Sequence, residues 1–249
     1  MRNFKIILAY DGTEFCGWQV QPYAPSIQAT LASAIGRVTG EKVLPQGSGR
    51  TDAGVHALGQ VASFSLASAI PAANLVIALN DVLPPSIRAL DCNQVAEGFH
   101  ARKSAKAKTY RYRMYRREIC PPLLARYVWH YPYPLDFEAM KEAAVLVEGE
   151  HDFTSFAAVD PERRKQEKIS NLRTVFSSRL SAAEGEFVYE IRGNGFLHHM
   201  VRNLMGTFLL VGKKTIRPGE MSRILEKRKR SAAGATAPAC GLYLVSVEY

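Results

Sequence analysis

Gly47-Ser48-Gly49-Arg50-Thr51-Asp52-Ala53-Gly54-Val55-His56-Ala57-Leu58-Gly59-Gln60 crowds three glycines, an arginine and an aspartate into its first eight residues. A loop of this kind separates fold classes. A doubly wound chain built to hold a dinucleotide would carry G-x-G-x-x-G, and Asp52 stands where the third glycine is required. A phosphate-gripping Walker loop would end in G-K-[S/T], which is absent here. A carboxylate in the loop would also repel a phosphate held by backbone amides. What remains is a loop that sets one acid beside one base. Taken alone, it fits either a polar turn with a surface ion pair or a reactive loop.

Working outward, residues 4–10 read as a strand closed by the turn Asp11-Gly12. Ser26 can cap a helix carrying Ile27, Leu31, Ile35 and Val38 and ending at Gly40. Residues 61–66 alternate as a strand, with Ala62, Phe64 and Leu66 on one face. Pro71 suits the first turn of a helix with Leu75, Leu79 and Val82, closed by Pro84-Pro85, and 87–92 is another strand. In the second half, 108–116 alternates strongly, and Asp136 caps a helix with Phe137, Met140, Ala144 and Val147 inward. Residues 174–180 and 187–192 read as a hairpin, 196–211 as an apolar helix ended by Gly212, 218 to about 230 as an amphipathic helix, and 241–249 as a closing strand. The pattern predicts an α+β chain with mainly antiparallel sheets and helices packed on one side. The aperiodic stretch 98–107 suggests a division into residues 1–103 and 104–249, and the charged segment 160–168 reads as an exposed loop.

A chain of 249 residues with 47% hydrophobic and 22% charged residues is expected to be a soluble globular protein with a substantial core. Cys16, Cys92, Cys120 and Cys240 are scattered without C-x-x-C spacing, so neither structural zinc nor a redox pair is indicated, and a reduced, cytoplasmic setting is expected. The first apolar run, 6–10, meets Asp11 at once and is too short for a leader or a membrane span.

The formal net charge of +9 points to a polyanionic partner. Arg102, Lys103, Lys106, Lys108, Arg111, Arg113, Arg116 and Arg117 occur without an acid among them, interleaved with Tyr110, Tyr112 and Tyr115. On a strand, Tyr110, Tyr112 and Met114 share one side, with Arg111, Arg113 and Tyr115 on the other. Basic groups beside aromatic rings suit unpaired or extruded bases: charges hold phosphates and rings stack at about 1–3 kcal/mol each. Arg163, Arg164, Lys165 and Lys168 form a second cluster and 227–230 a third. Each alone could be a solvated face; together with the tyrosines they favour RNA over duplex DNA, for which no helix-turn-helix or zinc-finger signature appears.

Within 196–211, Arg202 is the one full-time charge among Met200, Val201, Leu204, Met205, Phe208 and Leu209. It either reaches water from a helix edge or is buried against a carboxylate from elsewhere in the chain. His198 would share its face one turn earlier, and the adjacent pair His198-His199, diverging on a helix, is read as packing or RNA-contact groups and not as a metal site.

These residues resemble the TruA family of tRNA pseudouridine synthases nearly end to end. The resemblance runs from Tyr10-Asp11-Gly12, Gly17-Trp18-Gln19 and Ser26-Ile27-Gln28 through Gly49-Arg50-Thr51-Asp52-Ala53-Gly54-Val55-His56, the most specific block. It continues with Gly59-Gln60-Val61, Leu83-Pro84, Phe99-His100-Ala101-Arg102, Tyr110-Arg111-Tyr112 and Asp152-Phe153-Thr154-Ser155-Phe156. His198-His199-Met200-Val201-Arg202-Asn203 and Gly241-Leu242-Tyr243-Leu244-Val245 complete it. The resemblance implies two α/β halves whose sheets join across a central cleft, and isomerisation of uridine at tRNA nucleotides 38, 39 and 40 in the anticodon arm. It further implies no cofactor or metal, and a homodimer whose two subunits both contact the tRNA, with no membrane and no DNA involved. It makes Asp52 the catalytic aspartate, Arg202 its basic partner, and Arg50 the group that extrudes the nucleotide. Tyr110 becomes the ring that stacks on the flipped base and takes the proton from carbon 5. Leu242 packs against the site, and His100 and Arg102 are counted among the substrate-binding groups. Ser86 and Ser48 depart from the family's usual residues, and 159–171 has no aligned counterpart.

Two other readings compete. A tRNA-binding module without chemistry explains charge and tyrosines, but not an acid in a glycine loop or an arginine in an apolar helix. A zinc deaminase needs H-x-E and P-C-x-x-C, both absent.

Overall fold

The computed structural model of the chain describes residues 1–158 and 170–249. The elements run β1 (Arg2–Tyr10), α1 (Ile27–Thr39), β2 (Gln46–Gly47), β3 (His56–Leu66), α2 (Ala72–Val82), β4 (Ile87–Val95) and β5 (Ala107–Tyr115). Then come β6 (Trp129–His130), α3 (Phe137–Val145), β7 (Gly149–Asp152), β8 (Leu172–Ala183), β9 (Glu186–Gly193), α4 (Met200–Gly212), α5 (Glu220–Lys227) and β10 (Leu242–Glu248). Two compact units are present: Met1–Lys106 with Tyr243–Tyr249, and Ala107–Leu242. The terminal strand clusters with the first unit, because Tyr243 and Leu244 pair in parallel with His56 and Ala57 of β3.

In the first unit the strand order is β4-β1-β3-β10, with β2 beside β3. β1 lies antiparallel to both β3 and β4. Ile6 and Leu8 of β1, Ile27, Leu31 and Ile35 of α1, and Leu75 and Leu79 of α2 are fully buried. Ser26 caps α1 by accepting the Ala29 amide, and Gly40 ends it at φ 75°, where glycine carries no Cβ penalty. Pro71 is the residue before α2, one position earlier than expected. β3 begins at His56, five residues before the predicted strand, and both of its faces are buried through most of its length. Period-two patterning cannot reveal such a strand.

In the second unit the order is β5-β9-β8-β7, antiparallel throughout, with β6 parallel to β5. The chain is thus of the expected α+β class with mainly antiparallel pairing. Asp136 caps α3 through the Ala139 amide. The apolar helix starts at Met200, not Phe196, because His199 takes the left-handed conformation at φ 60°. Gly212 is the last residue of α4, at the expected end of the helix, and an added Cβ there would sit 2.5 Å from Met140 Sδ and 3.0 Å from Leu135 Cδ2. α5 stops at Lys227, short of the predicted 230, because Arg228 turns left-handed at φ 47°. Residues 160–168, expected as an exposed charged loop and holding Arg163, Arg164, Lys165 and Lys168, lie outside the described residues. Among the described residues no helix is long and apolar enough to cross a membrane.

Candidate active site

The loop before β3 is pinned by buried polar groups. Ser48 donates its amide to Val61 O at 2.7 Å and its hydroxyl to Gln60 Oε1 at 2.7 Å. Gln60, fully buried on β3, donates from Nε2 to Gly49 O at 3.0 Å and to the Tyr10 hydroxyl at 3.4 Å. The Tyr10 hydroxyl pairs with Thr51 Oγ1 at 2.8 Å. Burial pushes the Tyr10 pKa up to about 12, so the phenol stays a donor at working pH. Trp18 N donates to Thr51 O, Gly54 N to Phe15 O, and Val55 N back to Asp52 O, which closes a tight turn around Asp52. Asp52 is half-buried at this turn and Arg50 is exposed two residues before it.

The glycines serve the protein's own packing. A Cβ on Gly47 would lie 2.5 Å from the Trp18 ring, and Gly54 adopts φ 75°. Outside the loop, Gly12 would place a Cβ 2.0 Å from Val55 O. Gly12 N donates to His56 Nδ1 at 3.1 Å. His56 Nδ1 also lies 3.2 Å from Asp11 Oδ1, an oxygen that accepts the Thr13 amide and hydroxyl. His56 also stacks on Tyr243, with ring centroids 4.9 Å apart. His100 Nδ1 accepts the amides of Arg102 and Lys103, so this histidine organises the turn that presents those two exposed cations.

In the second unit, β5 turns Tyr110, Tyr112 and Met114 inward, as the alternation predicts, but Tyr115 is buried as well. Tyr110 lies opposite Ile191 and meets the Phe196 ring edge-on at 5.0 Å. Tyr112 is fully buried and donates to Pro238 O at 2.7 Å, a structural role. Arg202, half-buried in the first turn of α4, donates from Nε to Ala237 O at 2.8 Å, while Ala237 N donates to Arg202 O at 3.1 Å. Leu242 opens β10 and is buried. His198 precedes the helix and does not sit a turn below Arg202. Its ring lies 4.0 Å from that of His199, so the two histidines do not diverge.

A sequence model described as tRNA pseudouridine synthase matches residues 6–102 and 143–249. The tRNA pseudouridine synthase A of Solibacter usitatus is 51% identical over 249 residues, covering all of both chains. That of Moorella thermoacetica is 46% identical over 252 residues, again covering all of both.

The chain belongs to the TruA family of tRNA pseudouridine synthases.

Members of such a family are isomerases acting on uridine in tRNA. Of the expected TruA site residues, Arg50, Asp52, His100 and Arg102 stand in the first unit, and Tyr110, Arg202 and Leu242 in the second. All but Tyr110 fall within the stretches the family model matches.

The basic strand is less available to RNA than its composition suggests. Arg111 pairs with Glu190 at 3.0 Å, and Arg113 grips Glu186 with both Nε and Nη2, all from β5 to β9. Arg116 bonds the carbonyls of Tyr131 and Tyr133 and lies over the Tyr131 and Phe187 rings. In the third cluster, Arg228 contacts Asp152 at 3.3 Å and Arg230 is turned onto the protein itself. The reading from sequence gave no supporting role to Tyr10, Ser48 or Gln60, or to Phe196. The signal for the first three was their company in the quoted motifs; Phe196 carried none.

Proposed function

We propose that this chain isomerises uridine to pseudouridine at nucleotides 38, 39 and 40 of the tRNA anticodon arm, with Asp52 as the reacting carboxylate. The rearrangement breaks the bond from ribose C1′ to uracil N1 and forms one from C1′ to C5. The C5 proton leaves and N1 gains a proton, so no electron acceptor enters and no cofactor is required. Asp52 must be ionised, whether it adds to the uracil or takes a proton from the ribose. In this reading Arg202 serves as the basic partner of that carboxylate. A stacked nucleotide is out of reach, so the base is flipped at a cost of a few kcal/mol. Arg50, exposed two residues from Asp52, holds the nucleotide out; Tyr110 replaces its stacking neighbour and takes the C5 proton; Leu242 packs against the site. His100 and Arg102 bind the RNA. The enzyme works in the cytoplasm as a homodimer with the tRNA contacting both subunits.

The observation that carries this reading is the fixing of the Asp52 turn. Ser48, Gln60, Tyr10 and Thr51 form a buried polar network leading to one half-buried carboxylate. A module that only binds tRNA has no use for such preorganisation, whereas catalysis does. The test is pseudouridine mapping in tRNA from cells with and without the gene. Loss of modification at nucleotides 38–40 is expected; an unchanged map at those nucleotides would overturn the reading.

A further inference from the structure

The segment after α5 is built onto α4 with unusual closeness. A Cβ on Gly206 would lie 1.7 Å from Ala235 O, and one on Gly234 would lie 2.5 Å from Gly206 O, so two backbones touch with no room for a side chain. Gly234 N donates to Thr207 Oγ1 at 2.9 Å. Arg230 joins the two pieces. Its Nη1 donates to Gly234 O at 2.9 Å and reaches Ala233 O at 3.4 Å; its Nη2 donates to Asn203 Oδ1 at 2.9 Å and to Thr236 Oγ1 at 3.2 Å. Thr236 donates to the same Asn203 oxygen at 2.7 Å, and fully buried Asn203 anchors itself through Nδ2 on Phe156 O at 2.7 Å.

This network ends at both sides of one contact. Asn203 is the neighbour of Arg202, and Thr236 is the neighbour of Ala237. Between Arg202 and Ala237 run two bonds, Nε to carbonyl and amide to carbonyl. A guanidinium is planar, so the bond made by Nε sets the plane in which both Nη groups point. We propose that Arg230 is a positioning residue for the reaction: by clamping residues 233–236 to Asn203, it holds Ala237 O where it orients the Arg202 guanidinium. The fork of Arg230 spans two backbone carbonyls and two side-chain oxygens at once, which a lysine ammonium cannot do in one plane. The inference rests on the reading of Arg202 as the partner of the reacting carboxylate.

The test compares Arg230→Gln, Arg202→Met and the double variant in tritium release from tRNA labelled at uridine C5, with tRNA affinity and thermal melting measured alongside. Misplacing a catalytic group by about 1 Å costs up to about 100-fold. Arg230→Gln is therefore expected to lower kcat about tenfold or more while Kd for tRNA stays within about threefold. In the Arg202→Met background, Arg230→Gln should cost nothing further in kcat. Equal losses in both backgrounds, or wild-type kcat in folded Arg230→Gln, would overturn the inference. Wild-type kcat in Arg202→Met would instead remove the reading on which it rests. Should the glutamine variant fail to fold, Arg230→Lys, which keeps the charge and loses the fork, carries the same comparison.

Discussion

Thr51→Val tests how the catalytic loop is held. Valine has nearly the shape of threonine, so the change removes one hydroxyl and little else. The Tyr10 phenol, 4% exposed and paired with Thr51 Oγ1 at 2.8 Å, then loses that partner. Its remaining contact, from Gln60 Nε2 at 3.4 Å, is one it receives and cannot take up the phenol proton. Leaving one buried partner unsatisfied costs about 1–3 kcal/mol. We take about 1.5 kcal/mol, since valine recovers some apolar burial; that is roughly 3–6 °C in melting temperature for a chain of this size. Removing both partners in Tyr10→Phe with Thr51→Val should recover part of the loss, because neither group is then stranded. Thr51 adjoins Asp52, so turnover should fall about tenfold through loss of preorganisation. Thermal melts by circular dichroism and tritium release read the two effects. A Thr51→Val protein with wild-type melting and wild-type turnover would refute the claim that this network fixes the loop.

Gly206→Ala places a methyl 1.7 Å from Ala235 O, which is backbone and cannot swing aside. The expected loss is about 3 kcal/mol or failure to fold, read by denaturant melts, against little change for Gly98→Ala, where a Cβ would meet nothing. Glu41 accepts the amides of Ala67 and Ser68 at 2.8 and 2.7 Å, and these bonds hold its carboxyl below its ordinary value of 4.5. Its stabilisation is therefore complete above that value and is lost as pH falls through the lower folded value. Glu41→Gln should show a flatter loss of stability than wild type below about pH 5 in acid melts; parallel curves would contradict the assignment.

Much of the fold was legible because local chemistry agreed with packing. Ser26, Gly40 and Asp136 mark helix ends by side-chain and backbone preferences that act within a few residues. The inward face of β5 followed from simple alternation. What escaped depends on distant partners. β3 starts at His56 because β10, nearly 190 residues later, pairs with it there, and its two buried faces erase the alternation. Arg111 and Arg113 read as RNA contacts until β9 brought Glu190 and Glu186 beside them. His198 and His199 read as helical because their neighbours are apolar; the left-handed turn at His199 leaves no mark in residue type. In the candidate site, residue identities came from the motif, whereas the support beneath Asp52 and Arg202 appears only once Tyr10, Gln60, Asn203 and Ala237 are placed.

The central claim is that Asp52 does the chemistry. Asp52→Asn keeps the shape of the turn, whose bonds run through the Asp52 backbone and its neighbours, and removes only the ionisable group. The measurement is tritium release from tRNA labelled at uridine C5, with tRNA affinity determined on the same protein. Affinity within a few-fold of wild type and no release above background is the expected result. Release at the wild-type rate would contradict it.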